Sequence, residues 1–226
     1  MGEPNMEPVN IVCFWWGDWP DPDWGPEYVR RMRRMLQRHT TIPYSFTLFT
    51  DRPKLFSGFD ARKLEPASWK GCLPKIEAFN PANGFKGRVF VFDLDTVITS
   101  NIDDILQFDA DFVVRAWYGG LLKGVWQPDG DSLSFQAGQF VERIWQPLQD
   151  GPEEAESFTG GRERWWYRSI LGRKEIAMWQ WHFPDRFISY RHHCRNGLPE
   201  KASVVSFHGR PRIHEVDKSW VKEHWT

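Results

Sequence analysis

Two aspartates, Asp93 and Asp95, stand one residue apart directly after the apolar run 89–92 (Val-Phe-Val-Phe). Where a chain leaves a sheet, two carboxylates so spaced can turn towards one cation. An oxygen-rich site of this kind suits Mn²⁺ or Mg²⁺ carrying a diphosphate, because those ions take several oxygen ligands and keep positions open for substrate. Taken alone, the pair also fits an acidic strand end that caps a helix. Far downstream a second apolar run, 204–207, ends in His208-Gly209-Arg210-Pro211-Arg212. Imidazole can complete the coordination of Mn²⁺, Gly209 permits close backbone approach, and Arg210 or Arg212 can pair with phosphate oxygens.

The elements around these residues read as alternating strands and helices. Residues 10–16 (Asn-Ile-Val-Cys-Phe-Trp-Trp) are continuously apolar after Asn10, as in a strand covered on both faces. From 26 to 39, Tyr28, Val29, Met32, Met35 and Leu36 recur at helical spacing behind Pro26. Residues 45–50 alternate polar and apolar as a strand and stop at Asp51-Arg52-Pro53. A weaker strand is expected at 61–64, a short helix at 74–79, and the strongest strand at 88–93. Further strands are expected at 112–116, 132–137, 187–190 and 204–207, with helices at 139–148 and 163–171. Residues 128–130 and 150–161 read as loops. The order is α/β, with a mixed, mainly parallel central sheet flanked by helices, in a single domain over 1–226. In such sheets ligands bind beyond the carboxyl ends of the strands, which is where Asp93 and Asp95 fall.

Bulk composition excludes several classes. The chain of 226 residues is 41% hydrophobic and 26% charged, the balance of a globular protein. A formal net charge of −1 gives no broad positive field for nucleic acid. The first ten residues lack a basic start and an apolar run, and no apolar stretch approaches the roughly 20 residues of a membrane span. Three scattered cysteines, Cys13, Cys72 and Cys194, fit a reducing compartment, the cytoplasm by default.

The two motifs together resemble the GT-A glycosyltransferases of the glycogenin and bacterial lipopolysaccharide galactosyltransferase group, and small glycosyltransferase-like proteins of bacteria and phages. The resemblance rests on residues 89–98, on Leu73-Pro-Lys-Ile-Glu77, on Tyr190-Arg-His-His-Cys-Arg195 and on 207–215. It implies a Rossmann-like GT-A fold and a metal-dependent hexosyl transfer from a nucleotide-sugar, UDP-sugar favoured, with retention weakly favoured over inversion. The acceptor would be a hydroxyl of a glycan, a lipid-linked sugar, a protein or a modified nucleic acid. Asp93 would contact the nucleotide ribose or the metal, Asp95 and His208 would bind the metal, and Lys75 would touch the donor. Phe14 and Trp16 stand where such enzymes hold the base, and Asp51 follows the next strand.

The sequence departs from that family in three places. Arg210-Pro211-Arg212 replaces the usual Lys-Pro-Trp, so diphosphate pairing passes to arginine. Asp131-Ser-Leu-Ser-Phe135 stands where an Asn-Ser-Gly-like turn receives the sugar, and Arg162-Glu163 replaces an Asp-Gln-like pair. If the reaction inverts, Asp131 or Glu163 is the candidate base. The alternative is a catalytically inactive GT-A-like module that binds nucleotide or glycan, and a phosphotransferase using Asp93 as nucleophile ranks third.

Fourteen tryptophans offer flat faces for sugars or bases, with Trp16, Trp19, Trp24 and Trp126 nearest the expected site loops. Residues 30–34 (Arg-Arg-Met-Arg-Arg) read as a solvated helix face, with the grip of an anionic acceptor as the alternative. His192-His193-Cys194 reads as structural rather than as a zinc site.

Overall fold

The computed structural model describes residues 8–16, 25–64, 71–118 and 127–226. Strand β1 (Val9–Trp15) pairs in parallel with β2 (Tyr44–Thr50) on one side and β4 (Arg88–Phe92) on the other. Strand β3 (Asp60–Lys63) lies parallel to β2 at the edge. Beyond β4 the sheet turns mixed. Strand β7 (Pro128–Gln136) runs antiparallel to both β4 and β6 (Phe112–Ala116), and β8 (Ala177–Met178) closes the far edge parallel to β6. The order is β3-β2-β1-β4-β7-β6-β8. The expected α/β class with a mainly parallel sheet is what the chain adopts.

Alternation along the strands sorts side chains onto two cores, as a period of two requires. Ile11, Cys13, Trp15, Phe90 and Phe92 face one core, where helix α1 (Glu27–His39) lays down Val29, Met32, Met35 and Leu36. Val12, Phe14, Val89 and Val91 face the other, beneath the 3₁₀ segment Leu73–Phe79 and the helical run after residue 140. Aromatic stacking tightens both layers: Phe90 lies 4.4 Å from Phe92 and 5.2 Å from Trp179, and Phe79 lies 4.0 Å from Phe135.

A second, three-stranded sheet joins the two motifs. Strand β5 (Thr96–Ile98) starts immediately after Asp95 and pairs antiparallel with β10 (Val204–Ser206), which pairs in parallel with β9 (Phe187–Ser189). The ladder ends with Phe207 N–H donating to the Asp95 carbonyl at 2.8 Å.

Some expected boundaries move. Residues 128–130, expected as a loop, open strand β7, because β6 offers a partner to Pro128 and Asp129 across an irregularity at Val114 and Arg115. Residues 150–161, also expected as a loop, hold a helix, Pro152–Thr159. Its signals are Pro at the first turn, Glu153 and Glu154 at the positive helix end, and Gly160 at φ 58° closing it. The expected helix 139–148, which comes after the short α2 (Asp103–Leu106), divides into a π-helical turn, Val141–Trp145, and α3 (Gln146–Asp150). The helix just described is α4, and α5 (Glu163–Ile170) follows it.

In the arginine run of α1, Arg30 and Arg34 are exposed and pair with Glu27, while Arg31 donates to the Trp225 carbonyl at 3.1 Å and stands over the Trp225 ring at 4.0 Å, and Arg33 donates to the Gly58 carbonyl at 2.8 Å. No helix among the described residues is long and apolar enough to cross a membrane.

Candidate functional site

A cavity of ≈ 420 Å³ opens at the carboxyl ends of β1 and β4. Phe14 and Trp16 from the end of β1, Asp93 and Asp95 after β4, and His208, Gly209 and Arg212 after β10 all line it. Residues over 100 positions apart meet there because the small sheet pins Ser206 opposite Thr96.

Lys75 rises from the 3₁₀ segment into the wall, 6% exposed. Its ammonium sits 2.6 Å and 2.7 Å from the two Asp93 carboxylate oxygens and donates to Glu163 Oε1 at 3.2 Å. Glu163, the first residue of α5, reaches Lys75 across Gly130. A Cβ on Gly130 would stand 1.9 Å from Glu163 Oε1, so that position has no room for a side chain.

Asp95 is buried, and its Oδ1 meets no hydrogen-bond donor among the described residues, while Arg212 Nη1 stands 3.9 Å from Oδ2. Burial raises its carboxyl to about 6, against the pull of Lys75, Arg212 and Arg115. His208 is moved the other way, to about 4, by burial and by the nearby Arg115 guanidinium, with Asp129 opposing. Its imidazole is therefore neutral at pH 7. Nε2 shares a 2.7 Å hydrogen bond with Ser189 Oγ, which leaves Nδ1 for another partner.

Among the described residues, no three His, Cys, Asp or Glu side chains are gathered as a ready metal cluster. The chemistry at two of the three expected positions nonetheless suits a hard cation: a buried carboxylate oxygen without a donor, and a neutral imidazole. At the third, Asp93, the Lys75 ammonium holds both oxygens, so a cation there would share the carboxylate with Lys75.

Several expected residues fall elsewhere. Arg210 pairs with Glu215 and is not among the residues lining the cavity. The Glu215 carboxylate also accepts from Arg212 N–H at 2.6 Å, so it draws the Arg210 side chain back onto the 3₁₀ turn Ile213–Glu215. Asp51 is likewise absent from the lining and lies 3.7 Å from Arg52. Asp131 belongs to β7, but its side chain is outside the described set, as are Trp19, Trp24 and Trp126.

The structure adds residues that the sequence reading passed over. Asp129 lines the cavity and accepts from the fully buried Arg115 at 2.6 Å and from Arg164 at 3.2 Å. Burial works to raise its carboxyl, but the two guanidinia outweigh it and hold it below the usual range. Arg191, from the short helix Tyr190–His193, also lines the cavity, with no ion pair or hydrogen bond to its guanidinium among the described residues. A Cβ on Gly209, at φ 82°, would be 3.4 Å from Arg191 Nη1. The signal for Asp129 was present: Asp129-Gly130-Asp131 repeats the spacing of Asp93 and Asp95.

No family model matches this chain, and no curated protein sequence matches it. Among solved structures it is similar in fold to the glycosyltransferase GlyE of Streptococcus pneumoniae TIGR4, with a TM-score of 0.60 at 14% identity. The match covers 90% of this chain and 55% of that one, so the chain spans about half the length of GlyE. At that identity the likeness is one of fold: a glycosyltransferase-like α/β architecture.

Proposed function

We propose that this chain is a nucleotide-sugar-dependent glycosyltransferase, with a UDP-sugar as the favoured donor. The observation that carries the reading is the convergence of Asp93, Asp95 and His208 on one cavity at the carboxyl ends of the strands, in a fold similar to that of a glycosyltransferase.

In this reading Phe14 and Trp16 flank the base, and Arg191 and Arg212 pair with the diphosphate oxygens. Asp95 and His208, with Asp93, would hold Mn²⁺ or Mg²⁺, which when bound neutralises charge on the leaving diphosphate. Lys75, fixed between Asp93 and Glu163, presents its ammonium to the donor. The acceptor oxygen bonds to the anomeric carbon as the bond from that carbon to the diphosphate breaks, and the hydroxyl proton passes to the leaving group. Glu163 already accepts from Lys75, so it serves as a holding group rather than a base, and an inverting reaction would fall to Asp131. The hold of Lys75 on both Asp93 oxygens favours one second reading, a module that binds a nucleotide-sugar without turning it over.

Titration calorimetry of UDP, GDP and their sugar conjugates, with and without Mn²⁺, tests the proposal. Binding should require Mn²⁺, disappear in Asp95→Ala and His208→Ala, weaken about tenfold or more in Arg212→Ala, and stay unchanged in Arg210→Ala. Absence of binding by any nucleotide overturns the donor site. Binding without Mn²⁺-dependent hydrolysis of the nucleotide-sugar selects the non-catalytic module.

A further inference from the structure

A second hollow of ≈ 460 Å³ adjoins the main cavity, formed by Ser157, Phe158, Thr159 and Gly160 at the end of α4 and by Arg162 and Trp165 around the start of α5. Arg162 borders both spaces. Its guanidinium is exposed and makes no hydrogen bond or ion pair with any described residue. Phe158 leaves 67% of its surface in water, an unusual exposure for a large apolar ring. Two more guanidinia, those of Arg164 and Arg168, stand over the Trp165 ring at 5.8 Å and 5.2 Å from its centroid.

The hollow is fixed to the wall of the main cavity. Gly160 and Gly161 turn the chain at φ 58° and 75°, and the Gly161 carbonyl accepts from Cys72 N–H at 2.7 Å. A Cβ on Gly71 would be 2.3 Å from that same carbonyl, so the close approach depends on glycine there. Cys72 lines the main cavity and precedes the segment that carries Lys75.

Two aromatic rings beside a cation with no partner, and no acidic residue in the lining, match a sugar that carries negative charge. The apolar faces of the rings stack on sugar C–H surfaces, and a planar guanidinium pairs with a carboxylate through two parallel hydrogen bonds. Glu153, Glu154 and Glu156 lie on the same helix, so a continuous phosphodiester backbone would meet repulsion that a carboxylate confined to one sugar avoids.

We infer that this hollow is the acceptor subsite and that it takes a carboxylate-bearing saccharide, with Phe158 and Trp165 under the rings and Arg162 on the carboxylate. The word acceptor rests on the glycosyltransferase reading; the binding site itself does not.

The test titrates three probes: a uronate-containing tetrasaccharide, its carboxyl-reduced neutral form, and a short single-stranded oligonucleotide. Wild type, Phe158→Ala and Arg162→Gln are compared, with UDP and Mn²⁺ titrated separately. The acidic tetrasaccharide should bind wild type and lose about tenfold or more in each variant, and the reduced form should bind wild type about tenfold or more weakly. Phe158→Ala should bind UDP as wild type does. Failure of the acidic tetrasaccharide to bind wild type overturns the subsite whether or not UDP binds, as does undiminished binding by either variant or equal binding of the reduced form or of the oligonucleotide. If the tetrasaccharide binds and both variants lose it while UDP does not bind, the subsite stands and the donor reading falls.

Discussion

Replacing Lys75 by Met removes one positive charge at nearly constant volume, from a position 6% exposed. Two carboxylates then lose their shared cation: Asp93, whose side chain is 19% exposed towards the cavity, and Glu163, at 6%. Water can replace the ammonium at Asp93 but hardly at Glu163, so most of the loss falls on Glu163. Breaking a buried ion pair from one side costs about 3–5 kcal/mol, which for a chain of this size lowers Tm by roughly 6–20 °C. Urea unfolding of wild type, Lys75→Met and Lys75→Met/Glu163→Gln at pH 7 measures this. The double variant should recover more than about 1 kcal/mol of the loss. A single-variant cost below about 1 kcal/mol, or a double variant no more stable than the single one, refutes the argument that Lys75 neutralises this pair.

Gly130→Ala puts a methyl where Glu163 Oε1 now lies. It should cost about 1–3 kcal/mol by overpacking in denaturant unfolding, and much less when the same change is made in a Glu163→Ala background. Asp95→Asn should stabilise the metal-free protein at neutral pH. Burial lifts this carboxyl from 3.8 to about 6, so wild-type stability is lost as pH rises through that window, by about 3 kcal/mol at 1.36 kcal/mol per pKa unit. Thermal melts in chelator from pH 3 to 8 should show that gain appear above about pH 4 and level off above about pH 6; an unchanged difference across the range would contradict the burial argument.

The parts of the fold legible in the sequence were those with strong periodicity. Val89 to Phe92 announce a strand buried on both faces, and the five apolar positions of α1 fix its inner stripe. Asp93, Asp95 and His208 were legible as residues at strand ends, but their common cavity was not, because it rests on the separate small sheet that pairs β5 with β10. Arg191 was not, since a basic residue on a four-residue helix carries no local pattern that distinguishes cavity from solvent. The choice between Arg210 and Arg212 was equally hidden, because it turns on Glu215, three to five residues on, which draws one guanidinium away. Helix Pro152–Thr159 was hidden because Pro and Gly also mark turns; only their order, Pro and acidic residues first and Gly last, makes them start and stop signals.

The small sheet has a consequence for how the protein is made. Strand β5 finds its antiparallel partner only in residues 204–206, and Asp95 receives the Phe207 amide only then. A nascent chain emerging from the ribosome can pair β1, β2 and β4 early, but its Asp93-Leu94-Asp95 turn stays without the bracing strand until residues 204–206 have emerged. Competence for ligand therefore waits for β10, and release before it would leave both the site unmade and the α1 core without Val204, Val205, Phe207, Trp220 and Trp225.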